Sequence, residues 1–322
     1  MGARTVSVIV PVKDDPRIAD CLASLEADRP PGIEAEVIVV DNGSAPEFSA
    51  WLEGIARGGG VTLLRVPEPG VYAARNRGVE AARGAAVFFA DADCVVGPGW
   101  FAAGLAMLER GFDLVQGFSG ALPGGRTAQL IQARYEARFR RLAAGSPTDT
   151  DTRNLAVRRG VFERLRFNEA YRRVGDTEFG LRAEAAGFRV GYAPAMRVEH
   201  AHDDDLRVFA AKQFCHGWGA QRLMTERPGL PWHGAQLRRW DRHGGRVRRL
   251  PGRRALSRAL ARGALAAAGA LERGGERLPW PAASAAMLAI HKAALLAGHL
   301  AFEPGDPEPS PSGVLGRRLP RD

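Results

Sequence analysis

The chain has 322 residues, 45% hydrophobic and 25% charged, an ordinary globular composition long enough for one large domain or a core domain with an appendage. Its net charge of +9 and pI near 10.2 point to an anionic partner, and a phosphorylated small molecule, a membrane surface or nucleic acid would each satisfy that charge. Three scattered cysteines, Cys21, Cys94 and Cys215, show no CxxC spacing and leave an odd count, so neither a disulfide framework nor a cysteine zinc site is indicated, and a reducing cytoplasm fits.

MGARTVSVIVPVKDD turns polar too early for a signal peptide, and VSVIVPV (6–12) reads as a first strand. PRIADCLASLEA (16–27) places Ile18, Leu22 and Leu25 at helical spacing. Strands are expected at 35–44, 61–66 and 85–93, with a Pro/Gly break after the third and a helix over 74–82. Residues 101–110 read as a helix and 113–122 as a strand. Over 128–142, Ile131, Tyr135, Phe139 and Leu142 share one helix face. GSPTDTDTR (145–153) is a loop candidate. After about residue 205 the strand signal stops and Arg-rich helical sequence takes over. The apolar stretch 281–302 is interrupted by His291, Lys292 and His299, so a packed or interfacial helix is expected there, not a membrane span. The expected class is α/β, a mostly parallel sheet flanked by helices, with an Arg-rich helical extension over 206–302 and a disordered tail over 303–322.

Ligands bind beyond the carboxyl ends of strands in open parallel sheets. Four strand ends should gather at one edge: Lys13-Asp14-Asp15, Asp41-Asn42-Gly43-Ser44, Pro67 to Gly70, and Asp91-Ala92-Asp93. On an extended chain Asp91 and Asp93 point to one side, where both could approach magnesium or manganese, which in turn bridges diphosphate oxygens. A turn with two solvated acids is the competing reading. Gly70, Arg75 and Asn76 precede or open a helix whose N–H groups and guanidinium suit phosphate. No Gly-rich loop follows the first strand, which removes support for a nucleotidyltransferase or a dinucleotide-binding fold.

SVIVPVKDD, VIVVDNGS, GVYAARNRG, FFADAD, NLAVRRGVF and GDTEFGLR, in this order across residues 5 to 220, resemble the inverting glycosyltransferases of family 2, which have the GT-A fold. The resemblance implies a catalytic domain over 1–205, with a nucleotide-sugar half to about residue 100 and an acceptor half after it. It implies sugar transfer from a nucleotide-diphosphate donor with Mn or Mg. Pro11 and Asp41 would line the nucleoside pocket, Asp91 the ribose and diphosphate region, and Asp93 the metal. Val12-Lys13-Asp14 stands where relatives often carry an aromatic and Asn, which leaves the base open.

By the same match Asp176 would be the general base, a role contributing about 10²–10⁴-fold, and Glu178 would orient the acceptor. An N-cap at Asp176, worth about 1 kcal/mol, is the alternative. His200 or His202 would hold the metal, against a plain pair of surface histidines, and Asn154 would lie on the acceptor side, against a packed strand and turn. The Arg-rich stretch 236–263, with Trp240, suits anionic lipid head groups at about 1 kcal/mol per basic residue, or is a solvated face. No nucleic-acid module precedes it, so no nucleic-acid partner is expected. The overall expectation is a cytoplasmic glycosyltransferase, open to contact with the inner face of an anionic membrane and to a lipid-linked or envelope glycan acceptor. The alternative is a non-catalytic domain that binds a sugar nucleotide or a partner.

Overall fold

The computed structural model describes residues 4–68, 70–144, 150–202, 205–230 and 251–317. Residues 145–149 of the loop expected at 145–153, residues 236–250 of the basic stretch 236–263, including Trp240, and residues 318–322 of the tail lie outside the described residues.

The chain forms two compact units, one of residues 1–120 and 142–200, the other of 121–141 and 201–322. In the first, strands β1 (Arg4–Val12), β2 (Ile33–Asn42), β3 (Val61–Val66) and β4 (Ala86–Ala90) alternate with helices α1 (Ile18–Ala27), α2 (Pro46–Arg57) and α3 (Val71–Ala81). Then come β5 (Cys94–Val96), α4 (Trp100–Glu109), β6 (Leu114–Ala121), β7 (Asn154–Arg158), α6 (Val161–Arg164), α7 (Gly175–Ala185) and β8 (Val190–His200). The eight strands run β3-β2-β1-β4-β7-β6-β8-β5. Pairing is parallel from β3 to β4, with Val12 beside Asp41 and Ile9 beside Phe89. Beyond β4 the β4–β7, β6–β7 and β5–β8 pairs are antiparallel.

Side-chain alternation explains the layers. Val6, Val8, Val10 and Val12 of β1 face Ile18, Cys21 and Leu25 of α1 together with Trp100 and Phe101 of α4. Ile9 points to the opposite face, where Gly78 of α3 has no room for a Cβ, so the glycine lets α3 lie directly on β1. Full burial of each such aliphatic side chain stabilises the fold by about 1.5–3 kcal/mol. On the α3 side an aromatic cluster joins distant segments: Phe167 lies 4.4 Å from Phe179, 5.4 Å from Phe89 and 5.9 Å from Tyr72, centroid to centroid. This cluster seats α7 against the sheet.

The second unit is helical: α5 (Arg126–Ala143, with its last residues outside the unit), α8 (Leu206–Glu226), α9 (Arg253–Gly274), α10 (Trp280–Ala301) and α11 (Pro311–Leu315). Leu130, Ile131, Phe209, Ala268, Met287 and Ile290 form its core. Gly217 and Gly298 bring α8 and α10 into backbone contact, since a Cβ on either would strike the other helix's carbonyls. Helix α11 lies within the stretch 303–322 that the sequence marks as a disordered tail. Among the described residues α10 is the one helix long and apolar enough to cross a membrane by length and composition, with 44% of its most apolar window buried.

Candidate active site

Two chains of contacts start from the turn between β4 and β5. Asp91 through Asp93 do not continue the strand; the Cys94 N–H closes a turn on the Asp91 carbonyl at 3.0 Å. The extended-chain premise for a shared direction of the two acids is therefore corrected, and each carboxylate finds its own partner. Asp91 accepts from Arg75 at 2.6 Å. Asp93 meets His200 Nε2 at 3.3 Å and the Arg17 guanidinium at 3.2 Å. Arg17 also grips Asp15 at 2.8 Å, so the end of β1, the β4–β5 turn and the end of β8 are tied together.

Burial lifts Asp91 above the usual carboxylate range; Arg75 opposes the rise, and Asp93 and Asp151 add to it. Asp93 goes the other way. Burial disfavours its charge, but His200, Arg17 and Arg153 together hold it well below the usual range. At neutral pH Asp93 is thus a firm anion beside an imidazole.

The second chain of contacts runs through α3. The Arg75 guanidinium is 5.6 Å from the centroid of the Tyr72 ring, and its Nε is buried without a hydrogen-bond partner. The Tyr72 hydroxyl donates to Asp176 Oδ1 at 3.3 Å and accepts from the Gly175 N–H at 2.9 Å. Burial and the Asp176 charge push the phenol far up, so it stays a donor. A Cβ at Gly175 would overlap the Tyr72 ring, and the residue before it, Val174, sits at φ 56°. A β-branched residue in the left-handed region costs about 1–3 kcal/mol, sustained here by the packing around α7. Asp176 is the second residue of α7, partly exposed, and the N-cap position belongs to Val174.

Several expected site residues have other partners. Asp41 accepts from the Ser44 N–H at 3.0 Å and from the Ser49 hydroxyl, which organises the turn after β2. Pro11 is buried in β1 beside Val40. The Gly70 N–H donates to Asn42 at 2.8 Å as α3 begins. Asn76 exchanges hydrogen bonds with the Phe167 backbone at 2.9 and 3.0 Å and donates to Glu169. Asn154 is fully buried, donating to the Phe118 and Met196 carbonyls and accepting from Trp100. Glu178, also fully buried, accepts two hydrogen bonds from Arg182 at 2.7 and 2.8 Å. His202 belongs to the helical unit, where it stacks on Tyr135 at 5.5 Å and meets Gln132 at 2.9 Å.

Arg17, Tyr72, Asp151 and Arg153 were not singled out from the sequence. Asp151 and Arg153 pair with each other and act electrostatically on Asp91 and Asp93. Tyr72 stands inside the GVYAARNRG motif, the one signal that could have found it.

The sequence profile for glycosyl transferase family 2 matches residues 7–172, just over half of the chain. The chain belongs to that family. Glycosyltransferase AglE of Haloferax volcanii is 31% identical over 199 residues, which cover 58% of this chain and 64% of that protein. The chain thus spans a little under two thirds of the length of this curated relative. In structure it is similar to the mannosyltransferase PcManGT of Pyrobaculum calidifontis, solved with GDP-Man and Mn2+, with a TM-score of 0.60, 21% identity, and coverage of 88% of this chain and 85% of that one. The fold is GT-A type: a curled mixed sheet with flanking helices and C-terminal helices.

Proposed function

We propose that this chain is a glycosyltransferase that moves a sugar, with inversion, from a nucleoside-diphosphate donor to an acceptor hydroxyl. The observation that carries it is the set of contacts from Asp91 through Arg75 and Tyr72 to Asp176, which starts at the same β4–β5 turn as the Asp93–His200 pair. One end is built for a charged leaving group, the other for a proton.

Asp93 and His200 suit a divalent ion. An anionic oxygen and an imidazole nitrogen 3.3 Å apart match adjacent donors around one octahedral ion bound at about 2.1 Å. Among the described residues no third His, Cys, Asp or Glu joins them, so diphosphate and water oxygens would complete the shell. When bound, manganese or magnesium supplies charge stabilisation to the departing diphosphate. Arg75, with an unpartnered buried N–H, can donate to a phosphate oxygen there. Asp176 would take the acceptor proton as the hydroxyl attacks the anomeric carbon. Tyr72 fixes one of its oxygens, and the Thr177 N–H donates to the same oxygen at 2.9 Å.

GDP-mannose with Mn2+, the pair held by the structural neighbour, is the first donor to assay. Transfer or slow hydrolysis should require metal and be abolished in Asp93→Ala, and Asp176→Asn should bind donor without turnover. A panel of nucleotide sugars with manganese that yields neither binding nor turnover would sink the proposal. Binding by calorimetry without turnover on any acceptor would favour the non-catalytic reading. We propose the inner face of an anionic membrane as the working location, with a lipid-linked or envelope glycan acceptor, on the strength of the chain's net charge of +9.

A further inference from the structure

Helix α9 carries Arg254, Arg258 and Arg262 at i, i+4 and i+8, a single row that rises about 6 Å per step. The row borders an open cleft of about 410 Å3 within the helical unit, floored by Phe214 of α8, Leu265 of α9 and Val314 of α11. Like charges four residues apart cost a helix about 0.2–0.5 kcal/mol per pair, and cations near its N-terminus oppose the helix dipole. For Arg254 that cost is offset by Asp306 at 3.3 Å and Glu303 at 3.6 Å. Arg258 and Arg262 are exposed and have no ion pair or hydrogen bond among the described residues. The preceding sequence does not complement them: residues 231–250 contain six arginines and one acid, Asp241.

We propose that this cleft binds the anionic head group of a membrane phospholipid. Its phosphate sits between Arg258 and Arg262, and the first methylenes of its acyl chains lie on Phe214, Leu265 and Val314. A free phosphate would leave the apolar floor unused. A folded protein partner needs about 800 Å2 per side, more than this cleft offers, whereas its volume lies at the small end of the range for small-molecule sites. The inference is independent of the catalytic reading and holds whatever the donor proves to be.

The test is co-sedimentation of the full chain with phosphatidylcholine vesicles, with and without phosphatidylglycerol. Binding is expected with phosphatidylglycerol only. At about 1 kcal/mol per basic residue, Arg258→Ala with Arg262→Ala should weaken partitioning about 30-fold. Ala261→Trp, which fills the cleft and keeps the charge, should weaken it too. All three positions are at or near the surface, so melting curves should match the parent. Arg57→Ala with Arg77→Ala, which removes the same charge from exposed sites of the sheet unit, should leave partitioning unchanged. Absence of phosphatidylglycerol-dependent binding overturns the proposal, as does a double variant that sediments like the parent. An equal loss in the control pair would show diffuse attraction and overturn it as well. Chemical-shift changes at Arg258 and Arg262 with inorganic phosphate, in a chain that ignores vesicles, would assign the cleft to a soluble anion and reject the lipid.

Discussion

Tyr72→Phe removes one oxygen and keeps the ring, which is 5% exposed and stacked on Phe167. Two hydrogen bonds disappear: the one donated to Asp176 at 3.3 Å and the one accepted from the Gly175 N–H at 2.9 Å. A hydrogen bond to a charged group contributes about 1.5–3 kcal/mol, and an unsatisfied buried donor costs about 1–3 kcal/mol. If the first sum falls on the transition state, kcat drops by about 10- to 150-fold, at 1.36 kcal/mol per decade. Donor binding should be unchanged, because the hydroxyl touches the proposed base, Asp176, and not the proposed diphosphate side. The decisive comparison is a double-mutant cycle. In an Asp176→Asn background the same Tyr72→Phe change should cost almost nothing further, since both act on one proton transfer. Steady-state kinetics with a saturating nucleotide sugar and calorimetric donor binding read both quantities. An unchanged kcat in Tyr72→Phe, or losses that simply multiply in the double variant, would refute the link between Tyr72 and the base.

Arg75→Met leaves Asp91 partly buried beside Asp93 with its guanidinium gone; breaking such a pair costs about 3–5 kcal/mol, here nearer 3 because Asp91 is 29% exposed, and denaturant titration measures it. His200→Ala should weaken Mn2+ affinity in the presence of donor by more than the about 10–100-fold typical of outer-shell partners, read by calorimetry. Val174→Asn keeps a Cβ but tolerates the left-handed region, so it should raise stability by about 1 kcal/mol while leaving Gly175 and Tyr72 in place. Burial holds His299 down to about 3 and, with Arg134 and Lys292 nearby, His291 down to about 4. The unfolded chain takes up these protons below about pH 6.5 while the folded chain does not, so their contribution is full above that pH and fades as pH falls toward 3 to 4. Each group steepens the loss by up to about 1.4 kcal/mol per pH unit, and His299→Gln should flatten the slope of chemical melts between pH 6.5 and 4.

The parallel half of the sheet was legible because each of its strands is a short run rich in β-branched or aromatic residues that ends in turn-forming residues, and alternating helices force parallel crossovers. β8 escaped because Gly191 and Pro194 interrupt it and its exposure pattern lacks clean alternation. β5, at three residues, is too short to carry any period. Within the site, acids were legible by type, while their partners were not. Arg17 reads as the opening of α1, and only the fold shows its guanidinium turning to Asp15 and Asp93. Tyr72 meets Gly175 across 103 residues, a contact no local pattern encodes. Asn76 and Asn154 look like ligand residues in the motif, yet each satisfies buried backbone groups that would otherwise lack partners.

The charges around the β4–β5 turn explain why that division was hard to read. Asp15, Asp91, Asp93 and Asp151 face Arg17, Arg75 and Arg153, nearly balanced in number. Removing any one member leaves an uncompensated charge in a partly buried place, so every member has a structural role whatever its chemistry. A site built this way does not advertise itself by net charge, and the protein's excess of arginine lies elsewhere, in its C-terminal part. Balance also suits the proposed ligand. A divalent ion with a nucleoside diphosphate is close to neutral as a pair, so on the proposed reading a nearly balanced site would take it up by exchanging partners: Asp93 would be shared with the ion, and Arg17 would be released toward phosphate oxygens. Little net charge would then have to be buried, and the binding energy would be left for orienting the anomeric carbon toward the proposed base, Asp176.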